Sequence, residues 1–418
     1  MKTVSVHPLT RVEGHGRVDL MLRDGSLADA RVAIMESPRL FEGLVRGRDC
    51  REVPALVCRI CAICSSVHRV VSCQAMEKAL EMEIPPLAAT IRELLVLGGH
   101  IESHALHLFC LVLPDIEGEA SILDLLRGGN DIARQGLDLK KLGNSIQEIA
   151  GGRAIHPVNV EIGGVLVRPE RADLERLLLP QLEEWQKRLE TIQEDFFRLD
   201  AFPSAEPVRA TRIAVGSREE LSLTGENLFL SDGRKVAVED YRELLAEKPV
   251  AYSNARHCRD GSKPFLAGAL SRLELSREGR SLLSGAGKLP AGIHANNAAQ
   301  CLELSWALKR CTALIEEILN ADEGESLQAR VVPGAGSGTA AIEAPRGLLV
   351  HRYVLDDLGR VVQADVITPT AINQAGMEDQ IRTDLKEEAD EKALPGKAER
   401  IIRAFDPCIS CSVHLLEV

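Results

Sequence analysis

Four of the eleven cysteines fall into two matching pairs near opposite ends of the chain, Cys61-Ala-Ile-Cys64 and Cys408-Ile-Ser-Cys411. A histidine follows each pair, His68 four residues after the first and His414 three after the second. Together they offer four thiolates and two imidazoles, the ligand stock of a metal site and more than a redox disulfide needs. Closing the loop of roughly 350 residues between the pairs costs about 5 kcal/mol beyond the constant term. A site joining both ends is therefore completed late in folding.

Other residues of suitable type carry less. Cys58 stands three residues before Cys61, so spacing alone admits it as a ligand, but buried free cysteine is common and both Cys58 and Cys73 are read as packing residues. His100, His104 and His107 share one helix face, yet they lack the His-Glu-x-x-His order of zinc proteases and are read as histidines hydrogen-bonded in a helix interface. Cys301 and Cys311 have no metal spacing. Pro333-Gly-Ala-Gly-Ser-Gly-Thr339 matches neither the Walker pattern nor Gly-x-Gly-x-x-Gly, and a strand rather than a helix is expected after it, so no phosphate loop is assigned. Taken alone, Glu13 reads as a solvated loop carboxylate and Arg346 as a surface cation at the edge of a strand.

The elements that must position these residues follow from pattern. At 418 residues and 45% hydrophobic content the chain can bury a large core. Aromatic content is only 3%, so the core rests on Leu, Ile, Val and Ala, which suits long packed helices. The net charge of −12 argues against nucleic acid. Eleven scattered cysteines do not suggest a secreted disulfide framework, and with no signal peptide and no apolar run of membrane-spanning length the expectation is a cytoplasmic protein without a membrane span.

Alternation over residues 3 to 35, broken at Asp24-Gly25, predicts an antiparallel N-terminal sheet with Leu9-Thr-Arg-Val-Glu-Gly-His15 as a loop between strands. A short helix is expected over Ser37–Arg46, a long one from Pro86 to Pro114-Asp115, and another over Asp131–Ala150. Pro169–Leu199 reads as a charged outer helix and Asn297–Asn320 as a return to the bundle. Residues 348–355 and 361–367 predict a hairpin about Asp356–Gly359, and a single helix over 374–404 delivers the last cysteine pair. The fold class is α+β, mostly α. It is one domain with the sheet at 1–35, a helical core at 36–205 and 290–414, a strand-rich excursion at 206–289, and a short tail at 415–418.

The two cysteine pairs, in these places, resemble the large subunit of nickel-iron (NiFe) hydrogenases. The resemblance runs from Arg11-Val-Glu-Gly-His15 to His414, with Glu343-Ala-Pro-Arg-Gly347 and Thr368-Pro-Thr370 similar to two family motifs that line the iron. Its subgroup is most similar to the alpha subunit of cytoplasmic NAD(P)-linked hydrogenases, or sulfhydrogenases. Two departures stand out: Ala62 where many relatives have Gly, and Ser103 where some have Asp.

The resemblance implies reversible heterolytic splitting of dihydrogen at a nickel-iron centre. Cys61 and Cys408 are then terminal ligands of nickel, and Cys64 and Cys411 bridge it to iron, which carries one CO and two cyanides. Arg346 hangs over the open site and faces one cyanide, while Thr370 bonds the other. Glu13 relays the proton received by Cys408, and His68 donates to Cys64 from behind, with Asp406 positioning that surround. Glu42 and His414 hold a magnesium or iron ion. The implied partners are an iron-sulfur small subunit, flavin (diaphorase) and ferredoxin-like subunits leading to NADP, NAD or ferredoxin, and a maturation protease that removes Leu415–Val418. Two alternatives share part of the pattern: a non-catalytic protein with a four-cysteine zinc, which leaves Glu13, Glu42, Arg346 and Thr370 unexplained, and a quinone-site subunit of the complex I type, whose members lack the four cysteines.

Overall fold

The computed structural model describes residues 2–36, 40–197, 202, 205–388 and 390–412. Strands Lys2–Val6, Gly16–Arg23 and Ser26–Ile34 form the expected antiparallel sheet in sequence order. Its hairpin turns on Asp24 and Gly25, both at positive φ, which suits the right-handed twist of the strands. Val18, Leu20 and Val32 lie on the buried face and pack against Met377, Ile381 and Ile401 of the C-terminal helices. The first and last parts of the chain thus share one core.

The bundle centres on the helix Pro86–Ala105, packed against Asp131–Gly151 and Ala295–Asn320. Leu94, Leu95 and Ile101 are fully buried against Leu139, Ile146, Leu304 and Leu308. Asn130 caps the second helix by accepting the Ala133 N–H at 2.9 Å, and Gly152 ends it in the left-handed region. The central helix does not stop at Pro114 as its sequence suggests. A π turn over Leu106–Val112 leads into Leu113–Glu117, so Pro114 falls in a first turn where its missing N–H is not needed. The whole run, Pro86–Glu117, is long and apolar enough to cross a membrane, contrary to the expectation from apolar runs. Of its most apolar window 89% is buried inside the protein, which marks a core helix.

The outer helix is present over Leu179–Phe197, preceded by a π turn, with Leu182, Trp185 and Leu189 facing the core. The excursion holds a five-stranded sheet and also two helices, Ala269–Leu275 and Arg277–Gly285. Its Ile213, Leu228 and Phe265 share a core cluster with Leu348, Val350 and Ile367, so it is sealed onto the hairpin that flanks the site. That hairpin is the outer part of a three-stranded sheet, Gly336–Ala344, Gly347–Leu355 and Val361–Ile367. The single final helix is instead two, Pro369–Leu385 and Leu394–Ala404, the second starting with Pro395 in its first turn.

Candidate metal centre

Three short segments converge beneath the bundle. The first cysteine pair precedes the buried helix Ser65–Ala79, with Cys61 in extended conformation and Cys64 at the helix start. The second pair lies in the turn Ile409–Cys411 that follows the last helix. The loop at Glu13 joins them through a parallel bridge between Glu13 and Cys408, in which the Ile409 N–H donates to the Glu13 carbonyl at 3.0 Å. Gly14 makes that approach possible. Its φ is +88°, and a Cβ there would meet the Ile409 Cβ at 2.8 Å.

The result is four sulfur atoms, all buried and all within 4.8 Å of one another. Cys61 Sγ lies 3.3 Å from Cys408 Sγ, which lies 2.8 Å from Cys411 Sγ. Cys64 is held well below the ordinary thiol range, chiefly by hydrogen bonds from Cys408, Cys411 and Cys61. Burial pushes Cys408 and Cys411 well up. One site thus holds thiols that cannot all ionise by themselves. A divalent metal removes the conflict by taking the protons' place.

Around the sulfurs stand the other residues singled out in the sequence. Glu13 Oε2 accepts from Cys408 Sγ at 3.3 Å and from the Ser410 N–H at 3.0 Å, while Oε1 accepts from the Ser410 hydroxyl. Arg346 donates from Nη1 to Cys64 Sγ at 3.5 Å and from Nε to Asp406 Oδ1 at 3.0 Å. Burial works against its charge, but Asp406 and the cysteine sulfurs outweigh that and raise its pKa further. Burial likewise opposes the Asp406 charge, and Arg346 together with His107 holds its pKa down. The second Asp406 oxygen accepts from Gln300 Nε2 at 3.0 Å. Arg346 Nη2 is buried without a hydrogen-bond partner among the described residues. An orphaned donor of this kind costs about 1–3 kcal/mol, and beside four thiols it fits a site completed by an acceptor on a bound group.

Thr370 Oγ1 accepts the Cys408 N–H at 2.8 Å, which leaves its own hydroxyl proton to donate. His68 is buried near Cys64, and its backbone N–H donates to the Cys64 carbonyl at 3.1 Å, but its ring Nδ1 bonds His351 Nε2 at 3.1 Å and no hydrogen bond joins the ring to the Cys64 sulfur among the described residues. Burial brings its pKa down to about 4, against the pull of Cys64. Glu42 Oε1 accepts the Val366 N–H at 2.9 Å, and His414 lies outside the described residues.

Of the residues set aside as structural, His107 borders this group, with Nδ1 3.9 Å from Asp406 Oδ2, and the others make contacts of their own. Cys58 Sγ donates to the Ala55 carbonyl at 3.3 Å, and burial pushes the Cys73 thiol up to about 12. His100 bonds the Val96 carbonyl, His104 bonds Glu303, and His107 bonds Gln300 and the Arg403 carbonyl. Gln300, His351 and Ser410 were not singled out in the sequence. Only Ser410, inside the second pair, carried a signal there.

Comparison with known proteins agrees with this geometry. The family model described as nickel-dependent hydrogenase matches residues 39–122 and 275–414, and one described as HoxL-like matches residues 3–37. The chain is 38% identical to the alpha subunit of sulfhydrogenase 2 from Pyrococcus furiosus, covering 99% of this chain and 100% of that protein. It is 35% identical to the alpha subunit of sulfhydrogenase 1 from the same organism, over 99% and 98% of the two chains. Among solved structures, an NAD+-reducing [NiFe]-hydrogenase in its H2-reduced state superposes with a TM-score of 0.86 at 26% identity, covering 99% of this chain and 100% of that one. A [NiFeSe]-hydrogenase from Dm. baculatum shares the fold, with a TM-score of 0.81 at 22% identity over 99% and 100%. Four buried cysteines gathered from both ends of the chain, on this fold and with these relatives, mean that the chain belongs to the nickel-dependent hydrogenase family, as a catalytic large subunit.

Proposed function

We propose that this chain splits dihydrogen heterolytically, and reversibly, at a nickel-iron centre held by Cys61, Cys64, Cys408 and Cys411. By the family resemblance Cys61 and Cys408 would serve nickel, and Cys64 and Cys411 would serve nickel and iron together. The observation that carries the reading is Glu13 on Cys408 and Arg346 on Cys64, two members of one four-sulfur cluster. When bound, nickel with an iron carrying CO and two cyanides supplies the electrophile that polarises dihydrogen and takes up its electrons.

The chain's own groups do the rest. Cys408 Sγ receives the proton and Glu13 Oε2, 3.3 Å away, accepts it in turn. Glu13 is half-buried, so it connects an enclosed sulfur to water. Four thiolates and two cyanides bring about six negative charges against four from two divalent metals, an excess costing several kcal/mol per buried charge. Arg346 offsets one of them, and its free Nη2 donor and the Thr370 hydroxyl suit the two cyanide nitrogens. His68 and Asp406 act from behind the ligands. Glu42 with His414 would hold a magnesium or iron ion, once cleavage after His414 by a maturation protease makes that histidine the terminus.

Electrons leave through a small iron-sulfur subunit, then through flavin or ferredoxin-like subunits to NAD(P) or ferredoxin, in the cytoplasm. Support for an exit comes from His156, whose N–H donates to Ser65 Oγ at 3.0 Å and whose Nδ1 bonds the Cys58 carbonyl at 3.2 Å. Ile155 and Val158 beside it in the chain, with Leu166 and Val167, are exposed apolar residues. Elemental analysis tests the reading, with infrared bands of metal-bound CO and cyanide alongside nickel and iron as the expected result. Zinc in their place would refute it. Intact mass of nickel-loaded and nickel-starved protein tests the cleavage, with loss of Leu415–Val418 expected only after loading.

A further inference from the structure

The excursion between the two stretches matched by the hydrogenase family model sends one side chain into the centre of the molecule. Arg272, on the helix Ala269–Leu275, is buried with its side chain 1% exposed, and its three guanidinium nitrogens make five hydrogen bonds. Nε and Nη2 grip both oxygens of Glu303, each at 2.6 Å. Nη1 donates to Glu343 Oε2 and to the Ala344 carbonyl, each at 2.9 Å, and Nη2 donates to the Pro345 carbonyl at 3.1 Å. The last two acceptors are the residues immediately before Arg346.

Those contacts fall where the sheet stops holding the backbone. The antiparallel ladder between Gly336–Ala344 and Gly347–Leu355 ends at the pair Ala344 and Gly347, leaving Pro345 and Arg346 as the turn. Pro345 has no N–H to give. Arg272 is braced from two other helices, because Glu303 also accepts from His104 Nε2 at 2.9 Å. The turn is therefore tied to the excursion, to the central helix and to Ala295–Asn320 through one guanidinium. On the far side of Arg346, Asp406 and Gln300 fix the side chain but not the turn.

We infer that Arg272 is a positioning residue for Arg346, setting where that guanidinium stands over the sulfurs by holding the Ala344 and Pro345 carbonyls. The proposal rests on the role given to Arg346 above. A Lys at 272 keeps the charge but offers no bidentate fork, and it cannot reach two carboxylates and two carbonyls together. A misplacement of the order of 1 Å at a reacting centre costs on the order of 100-fold in rate, and loss of a supporting contact about 10- to 100-fold.

The test uses the purified nickel-loaded complex carrying Arg272→Lys, Arg346→Lys or both. Nickel content is measured together with dihydrogen turnover, KM for dihydrogen and the electron paramagnetic resonance signal of nickel. Arg272→Lys is expected to keep its nickel and its KM, slow turnover about 10- to 100-fold, and shift the nickel signal in the same sense as Arg346→Lys. The double variant is expected to be no slower than Arg346→Lys alone, because both changes remove one function. Multiplying effects would overturn the proposal and make Arg272 a structural residue, as would wild-type turnover in Arg272→Lys. Wild-type turnover in Arg346→Lys would instead remove the role of Arg346 itself. If Arg272→Lys does not accumulate with nickel, Glu343→Gln takes its place in the same cycle. It loosens one brace and leaves Arg272 on Glu303, so a milder slowing that vanishes in the Arg346→Lys background is expected, and additivity overturns the proposal.

Discussion

Glu13 takes three hydrogen bonds from two residues of the second cysteine pair, and these contacts tell apart what it contributes to shape from what it contributes to chemistry. An amide at this position still accepts from Ser410 through its oxygen but cannot accept and release a proton. Glu13→Gln is therefore expected to retain nickel and iron while dihydrogen turnover and its isotope exchange with water fall by about 10²- to 10⁴-fold. Normal exchange in that variant would send the proton by another route. The cysteines divide on the same reasoning. Cys61→Ser, Cys64→Ser, Cys408→Ser and Cys411→Ser each replace one of four mutually close sulfurs and are expected to abolish activity, with metal content measured alongside. Cys73 sits apart with its thiol pushed up to about 12 by burial, so Cys73→Ser is expected to leave activity largely intact.

At the scale of elements, the site depends on how closely backbones approach. Gly14 carries Glu13 onto the last turn, and Gly14→Ala adds both a left-handed penalty and a contact at 2.8 Å with Ile409. A cost of about 1–3 kcal/mol is expected, read as a lowered melting midpoint together with slower isotope exchange as Glu13 shifts from Cys408. Unchanged exchange would show that the bridge does not set the relay. Backbone approach also explains where pattern reading succeeded and failed. Both cysteine pairs were legible from their spacing, whereas Glu13, Arg346 and Thr370 were singled out only through the family resemblance, since alone Glu13 reads as a solvated carboxylate and Arg346 as a surface cation. Arg272 and Gln300 were not, since a lone polar residue on a helix carries no spacing. The run Gly336-Ser-Gly338 was given no element from the sequence. It is a strand whose glycines let it lie on the helix Ser65–Ala79, where a Cβ on Gly338 would meet the Ala75 carbonyl at 2.2 Å. Pro114 looked like a stop because a π turn is invisible in the pattern.

Across the whole molecule, burial that protects the centre also fixes its response to acid. Burial, the largest cause at each, brings His100 down to about 3 and His257 and His294 to about 4, so each is neutral when folded and charged in the unfolded chain below about 6.5. The unfolded state then binds the extra protons, and stability falls as pH drops from about 6.5 through about 4, by up to about 4 kcal/mol per pH unit for the three together. Thermal unfolding of the purified chain from pH 7 to pH 5 checks this, and a flat midpoint would count against it. The other molecular property is the route of electrons. The relatives are alpha subunits of multi-subunit hydrogenases, which implies a small-subunit partner for this chain. Val158 and Val167 are exposed close in the chain to His156, which bonds Ser65 and the Cys58 carbonyl on either flank of the first cysteine pair in the sequence. Isotope exchange between dihydrogen and water needs a proton relay but no electron export, whereas reduction of a pyridine nucleotide or ferredoxin needs both. Val167→Lys, a charge placed in an apolar face that is already solvent-exposed, should leave the fold intact. It is expected to lose acceptor reduction and the co-purifying iron-sulfur subunit while exchange continues at its usual rate. If acceptor reduction persisted in Val167→Lys, electrons would have to leave by another face.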